Sequence, residues 1–303
     1  MKKIYLIDDT SANTRLDRWF KRHICDVPQS LIEKNIRKGN IKVNTKKNKS
    51  SYKLQNRDEI VVNISNLIVN NDKKTKVKYK PTKKEINYSS SMFVEDNDNY
   101  VVINKPAGIA VQSGTKSKRN IIDILRDTIE FKGSTPFTVH RIDKETTGIL
   151  IVAKNRKFAQ LFTSLFRIRK IHKTYLGIVL GEFPKKKGTL IDELYHYEKD
   201  KKVKTKAITH FTLIDSNNNY SLLKLNPETG RKHQLRKQLL LYGHPIIGDS
   251  KYRLTQKYNN KKNPLMLHAH KINFSINSIK YNYTAEPSLE FLNFVKEKYL
   301  KIF

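Results

Sequence analysis

The sequence predicts an α+β protein with two domains, and three observations lead to this prediction. The chain of 303 residues has about twice the length of a usual single domain. Helix-like and strand-like stretches follow one another without the regular strand-helix alternation of a doubly wound sheet. A polar, charged segment with little periodicity, residues 66–91, has the composition of a linker between a short part, residues 10–65, and a long part, residues 92–303.

The short part is predicted to contain two helices followed by two strands. The apolar residues of the first helix recur at helical spacing: Leu16, Trp19, Phe20 and Ile24. A second helix is predicted over residues 30–37, and Gly39 follows it where a glycine commonly ends a helix. Residues 41–44 and 59–62 contain β-branched side chains and are the predicted strands.

The long part is predicted to mix strands and helices. Predicted strands cover residues 100–104, 148–153, 173–180, 207–214 and 221–225. Predicted helices cover residues 121–129, 155–169 and 233–242. Five apolar side chains of the second of these helices share one face: Phe158, Leu161, Phe162, Leu165 and Phe166. We expect this face to pack on the sheet.

The charge of the chain is strongly positive. Sixty Lys and Arg residues against 28 Asp and Glu residues give a net charge of +32. A surplus of this size attracts a polyanion by counterion release and long-range steering, so nucleic acid is the expected partner. Part of the surplus has a second explanation, because an AT-rich genome favours lysine codons. The charge is denser at the start of the chain, where the first 90 residues hold 22 basic and 9 acidic side chains.

Membrane segments and cysteine usage bear on location. The chain has no apolar run near the roughly 18 residues that a membrane helix needs. Asp8 and Asp9 lie where a signal sequence would remain apolar. Cys25 is the single cysteine, which excludes an intrachain disulfide and a zinc site built from several thiolates. We therefore expect a cytoplasmic protein without a membrane segment.

The residues best suited to chemistry lie in one segment, residues 139–155. A polar loop there displays Asp143 and leads through a Thr-Thr-Gly sequence into an apolar strand. This order places a carboxylate at the rim of a sheet, where a nucleophile or base is often found. An aspartate in such a loop is, however, more often a turn or capping residue. On these residues alone, both roles stay open.

This segment resembles the signature of the RluA-type pseudouridine synthases. Two runs carry the resemblance: His140-Arg141-Ile142-Asp143 and Thr146-Thr147-Gly148. Further segments match the family in the expected order: residues 102–108, 173–176, 229–236, 243–249 and 267–270. Four positions depart from the commoner family residues without removing a catalytic group: Ile142, Thr147, Lys232 and Arg253. The arrangement is most similar to the RluC-like members, which modify large-subunit ribosomal RNA.

The resemblance implies roles for individual residues. The catalytic aspartate of the family falls on Asp143, its active-site tyrosine on Tyr175 and its basic residue on Arg231. An arginine close to the carboxylate would keep it ionised and oriented, and a tyrosine ring can stack on a uracil. His140 and His233 are expected to orient neighbouring groups or contact RNA, and Arg141 is a candidate either for the space that a flipped uridine leaves or for a phosphate contact. For Arg231 a phosphate or structural contact is the alternative, and for Tyr175 a half-buried structural position.

The short part resembles the S-four-type RNA-binding domain. The match rests on residues 28–32, 36–44, 52–54 and 58–60. In that family two helices and the following turn present basic side chains to structured RNA. The positions implicated here are Arg37, Lys38, Lys42, Lys46 and Lys47, for which a solvated basic face is the alternative. For the long part, the resemblance implies a catalytic domain with a mixed, mostly antiparallel sheet and a central cleft.

Taken together, these observations predict an isomerase that converts uridines of 23S ribosomal RNA to pseudouridine. No cofactor and no metal are expected, because isomerisation moves no electrons to a carrier and the sequence has no glycine-rich phosphate loop or metal-ligand cluster. The expected partner is large-subunit ribosomal RNA, with no membrane, and the protein is expected to be a monomer. The main alternative is a non-catalytic rRNA-binding assembly factor. A metal-dependent nuclease is disfavoured, since it needs clustered acids.

Overall fold

The computed structural model describes residues 2–9, 11–25, 27–63, 79–82, 85–86, 90–113, 119–198, 201–254 and 263–302. The chain divides into two compact units, Met1–Val77 and Lys78–Phe303. The division falls inside the segment predicted to be a linker, residues 66–91. The end of that segment nevertheless belongs to the second unit, because Tyr79 packs against its core and donates a hydrogen bond to Glu85.

In its described residues, the first unit contains two helices and three strands. They are β1 (Lys2–Leu6), α1 (Leu16–His23), α2 (Gln29–Lys38), β2 (Ile41–Val43) and β3 (Glu59–Asn63). Strand β3 lies between β1 and β2 and is antiparallel to both. The predicted order of two helices and two strands is confirmed. Strand β1 was not predicted, and its side chains are mostly exposed, so that little alternation marks it in the sequence.

The helices of the first unit pack their apolar faces on this sheet. Trp19 and Phe20 of α1 and Ile32 and Ile36 of α2 are all buried in one core. Helix α2 ends at Gly39, which adopts the left-handed conformation with φ of 81° that a glycine takes without strain. The turn after Gly39 brings the chain directly into β2.

The second unit contains a ten-stranded sheet and four helices among the described residues. Its strands are β4 (Phe93–Asp96), β5 (Tyr100–Lys105), β6 (Phe137–Thr138), β7 (Thr147–Ala153), β8 (His172–Leu180), β9 (Lys187–Glu198), β10 (Lys201–Ser216), β11 (Tyr220–Pro227), β12 (Leu267–Ile276) and β13 (Ile279–Thr284). Its helices are α3 (Ile121–Arg126), α4 (Arg156–Arg167), α5 (Gln234–Leu241) and α6 (Leu289–Glu297). Short 3₁₀ turns lie at Ser90–Met92 and Ile129–Phe131.

The strand order is β4-β5-β7-β12-β8-β11-β10-β9, with β13 paired to β12 and β6 to β7. Among the described strands, β7 and β12 are parallel and all other pairs are antiparallel. The predicted mixed, mostly antiparallel sheet is therefore confirmed. The five predicted strands and three predicted helices of this part are present, with shifts at their ends.

Several elements of the second unit were not predicted. Strand β9, which begins at Lys187 and forms a long hairpin with β10, was not among the predicted strands. Strands β12 and β13 and helix α6 were also missed, as was the short strand β4. These elements are stabilised by contacts with distant parts of the chain, such as the pairing of Ala269 in β12 with Gly148 in β7.

Strand β7 is the structural centre of the second unit. All seven of its residues are buried, and its two faces contribute to two different cores. Helix α4 covers one face of β7 through Phe162, which is fully buried. This confirms the prediction that the apolar face of this helix packs on the sheet. The side chain of Asn155 caps this helix by accepting a hydrogen bond of 3.0 Å from the amide of Phe158. Helix α4 thereby begins in a capped conformation directly after the end of β7.

Candidate active site

The loop between β6 and β7 holds Asp143. Its turn is closed by the amide of Thr146, which donates to the carbonyl of Asp143 at 3.2 Å. The carbonyl of the next residue, Lys144, accepts two further hydrogen bonds, at 3.1 Å from the Lys105 ammonium and at 3.0 Å from the Gly108 amide. The backbone around Asp143 is therefore held from both sides of the turn.

Lys105 has a structural environment that sequence reasoning did not anticipate. Its side chain is completely buried, and its ammonium donates to the carbonyls of Pro106, Ile109 and Lys144. Burial lowers the pKa of Lys105 to about 7, although the charges of Glu145 and Asp143 favour the protonated form. The sequence signal was the match of residues 102–108 to the family, which gave the segment without a role for this lysine.

Asp143 is held by Arg236. Nη1 of Arg236 donates to one carboxylate oxygen of Asp143 at 3.0 Å. Nε and Nη2 of the same guanidinium donate to the two carboxylate oxygens of Asp249 at 2.7 and 2.8 Å. The Asp143 side chain is 26% exposed and that of Arg236 is 8% exposed, so the carboxylate reaches the cleft while its partner lies behind it. A charge-assisted, two-sided clamp of this kind fixes orientation as well as charge.

Burial and pairing act in opposite directions on these three groups. Burial alone would lower the pKa of Arg236, but its bonds to Asp249 and Asp143 raise it above the ordinary value. Burial alone would raise the pKa of Asp249, but the hydrogen bonds from Arg236 and from two backbone amides lower it. Arg236 therefore remains a permanent cation next to Asp143.

The ion pair predicted between Arg231 and Asp143 is wrong. Arg231 is exposed, and its Nε donates at 3.1 Å to the carbonyl of Lys206 in β10. The cause is the start of helix α5, because Arg231 precedes the helix in a turn whereas Arg236 lies in its first turn and faces the sheet. Both arginines belong to the same sequence segment, residues 229–236. A role of Arg231 in the reaction by another contact stays a prediction.

Tyr175 lines the same cleft from strand β8. Burial, and then the negative charge of Asp143, raise the pKa of its phenol above the ordinary value. The phenol is therefore protonated at neutral pH. This arrangement brings together two of the three residues to which the family resemblance gave a catalytic role.

The two histidines near the site differ in their surroundings. His140 accepts a hydrogen bond of 2.8 Å from the Ile151 amide through Nε2 and stacks on Phe166 at 4.5 Å. Burial, together with the charge of Lys173, lowers the pKa of His140 to about 3, so this ring is neutral. These contacts hold the His140 ring against β7 and α4, and its orienting role and its contact with RNA both stay predictions.

His233 lies beside the carboxylate of Asp143. Its Nε2 lies 3.7 Å from Oδ1 of Asp143, and its Nδ1 lies 2.9 Å from the hydroxyl of Tyr252. The residue precedes α5 with φ of 55°, a left-handed conformation that turns its ring toward the loop. Burial lowers the pKa of His233, and the charge of Asp143 partly offsets that effect.

The cleft around Asp143 has a volume of about 760 Å³. Besides Arg236 it is lined by six cationic side chains: Arg141, Arg167, Arg169, Lys173, Arg231 and Lys232. Its acidic lining residues are Asp143 and Glu228, and Glu228 is engaged by His210 at 2.6 Å. The excess of cations gives the cleft a positive charge, which favours an anionic ligand.

In the first unit, four of the five basic residues singled out from the sequence are exposed: Arg37, Lys38, Lys46 and Lys47. Lys42 is half-buried. The stem of Lys47 packs over Gly39, so that its ammonium and the side chains of Arg37 and Lys38 surround one turn. These three residues form what we call the turn patch.

Within the described ranges, no three His, Cys, Asp or Glu side chains come together as a group that could hold a metal ion. None of the helices that the structure describes is long and apolar enough to cross a bilayer.

The fold and the site together define an enzyme whose fixed carboxylate lies in a basic cleft at the edge of a central strand. Comparison with known proteins gives the family. The family model described as RNA pseudouridylate synthase matches residues 99–241. The chain therefore belongs to the RNA pseudouridine synthase family, and it is an RNA pseudouridine synthase.

Similar proteins cover most of the chain. The ribosomal large subunit pseudouridine synthase C of Rickettsia felis is 34% identical over 260 residues, which are 80% of this chain and 83% of that protein. The protein of the same name from Buchnera aphidicola is 31% identical over 299 residues, 94% of this chain and 93% of that protein. The solved structure of human RNA pseudouridylate synthase domain containing 4 has a TM-score of 0.62 and 25% identity, covering 72% of this chain and 96% of that one.

Proposed function

We propose that this enzyme converts uridines of large-subunit ribosomal RNA to pseudouridine and that Asp143 is the reacting carboxylate. The substrate class rests on the similar proteins, whose names specify the ribosomal large subunit. The role of Asp143 rests on one observation, its clamp to Arg236 at 3.0 Å inside a cationic cleft. The clamp holds Oδ2 of this carboxylate and leaves Oδ1, which lies 3.7 Å from Nε2 of His233, available to a ligand in the cleft.

The reaction breaks the bond between N1 of uracil and the ribose and forms a new bond from C5. An ionised carboxylate can assist in three ways: by attack on the uracil ring, by attack on the ribose, or by removal of a ribose proton. The geometry is compatible with each of these steps. No redox carrier is needed, because the substrate and the product are isomers.

Two further side chains have roles in the proposed reaction. Tyr175, whose phenol remains protonated, provides a ring that can stack on the uracil and a proton that can be exchanged through water. Arg141 is exposed at the rim of the cleft and fills the place of the flipped uridine. Flipping a nucleotide out of folded RNA costs roughly a few kcal/mol, which such an insertion offsets in part.

The role of Asp143 is tested by Asp143→Asn. The amide preserves the shape of the side chain but has no nucleophilic oxygen, so single-turnover tritium release from C5-labelled uridine should fall to background. Affinity for RNA should remain within a factor of about three. Asp98→Asn, at an exposed position outside the cleft, is the matched control and should react at the normal rate. Substantial activity of Asp143→Asn would remove Asp143 from the mechanism.

The substrate is tested by mapping pseudouridines in cells. Carbodiimide primer extension on ribosomal RNA, with and without this protein, should reveal at least one modified position in the large-subunit RNA that depends on it. Loss of a position in small-subunit RNA alone would contradict the proposed substrate. An unchanged map, with altered ribosome assembly, would favour a non-catalytic assembly factor.

We also propose that the first unit is an S-four-type RNA-binding domain and that the protein acts as a cytoplasmic monomer. The order of two helices and a small sheet in this unit supports the domain assignment, as does the turn patch. Residues 10–65 remain the proposed bounds of the domain, and residues 92–303 those of the catalytic domain. Sedimentation of the purified protein would test the monomer, for which the expected mass is 35.5 kDa.

A further inference from the structure

Lys173 lies in the cleft next to the proposed reaction centre. Side chains alternate along a strand, so Lys173 and Tyr175 project from the same face of β8, and both line the cleft. The Lys173 ammonium lies 4.0 Å from the point where a Cβ of residue 230 would be, and Gly230 has no such atom. Its charge also lowers the pKa of His140, which places it beside the loop that carries Asp143.

Lys173 is a cation without a protein partner among the described residues. Arg236, by contrast, forms three hydrogen bonds to two carboxylates, and Lys105 donates to three carbonyls. Burial lowers the pKa of Lys173, and no nearby carboxylate offsets this effect. A partly buried ammonium that lacks hydrogen-bond acceptors is unfavourable in the free protein, and an anionic ligand would satisfy it.

Building on the proposed function, we propose that Lys173 binds the backbone phosphate adjacent to the uridine that reacts at Asp143. Two residues along a strand span about 6.6 Å, so the ammonium lies roughly that far along the cleft from the Tyr175 position. A base stacked at Tyr175 places its own backbone within such a reach. The ammonium of a lysine binds phosphate as a point charge with three donors.

Gly230, which also lines the cleft, supports this assignment. Because residue 230 has no side chain, an RNA backbone can approach the Lys173 ammonium without displacing a protein group. The exposed cations Arg167 and Arg169 continue the positive lining at the end of α4. Lys173 is the partly buried member of this series, and a phosphate at Lys173 would therefore be bound in a defined position.

The first test compares variants by filter binding to a 23S ribosomal RNA transcript across a salt series. Lys173→Met should weaken binding about tenfold at moderate salt and reduce the slope of log affinity against log salt by about one ion. Lys173→Arg should restore most of the slope. The matched control is Lys224→Met. Lys224 is exposed and pairs with Leu176, so it lies on the face of the sheet opposite to Lys173 and Tyr175. Its slope should equal that of the unaltered protein.

A second measurement removes the charge of the RNA phosphate and compares its effect on the unaltered protein and on Lys173→Met. In a stem-loop around the mapped uridine, a neutral methylphosphonate at the adjacent linkage should weaken binding of the unaltered protein about tenfold but leave that of Lys173→Met nearly unchanged. The pKa of the Lys173 ammonium, followed by NMR, should also rise when RNA binds. If the salt slope of Lys173→Met or the pKa of Lys173 in the complex is unchanged, the phosphate contact is excluded.

A loss of rate by Lys173→Met at saturating protein, with an unchanged salt slope, would also overturn the proposal, because it would indicate a contact with the base. Failure of the proposed function has a different signature. If Asp143→Asn keeps its activity, the assignment of Asp143 fails, whereas the salt slopes at Lys173 still report whether a phosphate binds there.

Discussion

Arg236 contacts two carboxylates with one guanidinium, and this shared contact determines how Asp143 is oriented. Nε and Nη2 bind Asp249, which is almost fully buried, and Nη1 is left for Asp143. The planar group cannot rotate toward Asp143 without losing Asp249. The position of the proposed reacting carboxylate therefore depends on Asp249, which lies 13 positions after Arg236 in the chain.

The first prediction separates Arg236 from Arg231. Arg236→Lys keeps one positive charge but loses the planar fork, so single-turnover rates should fall by an order of magnitude or more with RNA affinity nearly unchanged. Arg231→Lys, which loses one bond to the Lys206 carbonyl, should react at close to the normal rate. Arg126→Lys, at an exposed ion pair with Asp123, is a control for the substitution itself.

The outcomes of this comparison are opposite for the two arginines. A near-normal rate for Arg236→Lys would show that the clamp is dispensable. A large loss of rate for Arg231→Lys, without loss of binding, would restore Arg231 to the reaction. If Arg231 binds a phosphate instead, Arg231→Ala should reduce the salt slope by about one ion.

The second prediction concerns the pH dependence of stability through two histidines. His268 is fully buried between the Thr147 hydroxyl and the Ala285 carbonyl, and burial lowers its pKa to about 4, while that of His140 is lowered to about 3. Below pH 6.5 the unfolded chain therefore binds protons that the folded state excludes. Stability should decrease as the pH falls from 6.5 toward 4, by up to about 1.4 kcal/mol per pH unit for each histidine.

Urea unfolding between pH 7 and 4.5 measures this effect. His268→Gln should lose stability at pH 7 but show a shallower decline at lower pH, because one of the two groups is removed. His172→Gln, at an exposed position in β8, is the control. A decline as steep in His268→Gln as in the unaltered protein would contradict a buried, neutral His268.

At the scale of elements, the parallel contact between β7 and β12 supports the loop of Asp143. Gly148, in β7, has φ of 105°, and the backbone of Ala269 in β12 occupies the space where its Cβ would lie. The two strands approach closely only because residue 148 lacks a side chain. The loop ends at this contact, so its geometry depends on strand pairing with a segment more than 100 residues away.

The third prediction is that Gly148→Ala destabilises the protein far more than Gly133→Ala. Both glycines have positive φ, but a Cβ at position 133 meets no neighbouring atom. Gly133→Ala should therefore cost only the backbone strain, about 1 kcal/mol, whereas Gly148→Ala adds a steric overlap and should cost about 3 kcal/mol or more. Urea unfolding measures both. Equal losses would show that β12 can move away without cost.

At the scale of the whole molecule, positive charge is present in both units. The chain carries a net charge of +32. In the first unit the turn patch is exposed, and in the second unit the cationic residues surround the cleft. The two groups have different expected functions, because phosphate contacts by the first unit give affinity and register, whereas the cleft contains the proposed chemistry.

The fourth prediction is that deletion of residues 1–66 weakens ribosomal RNA binding and its salt dependence more than the chemical step at saturating protein. The reason is that this region contains the turn patch but no residue of the cleft. A milder variant, with Arg37, Lys38 and Lys47 changed to Gln, should reduce the salt slope by up to about three ions. The control changes the exposed residues Lys280, Lys296 and Lys301 to Gln. An unchanged slope in both altered proteins would mean that the first unit does not bind RNA.

The sequence by itself determined the elements with strong local periodicity and the segment that holds the site. Helices α1, α2 and α4 were predictable because the spacing of apolar residues records which face of a helix is buried. The order in which their segments match the family indicated that Asp143 and Tyr175 belong to one site, and both side chains line the same cleft. Local spacing, however, does not record contacts between distant segments, so strand β12 and the clamp between Arg236 and Asp143 required the tertiary structure. The distinction between Arg231 and Arg236 depends on where α5 begins and on the position of Asp249, and only the packing of that helix on the sheet decided it.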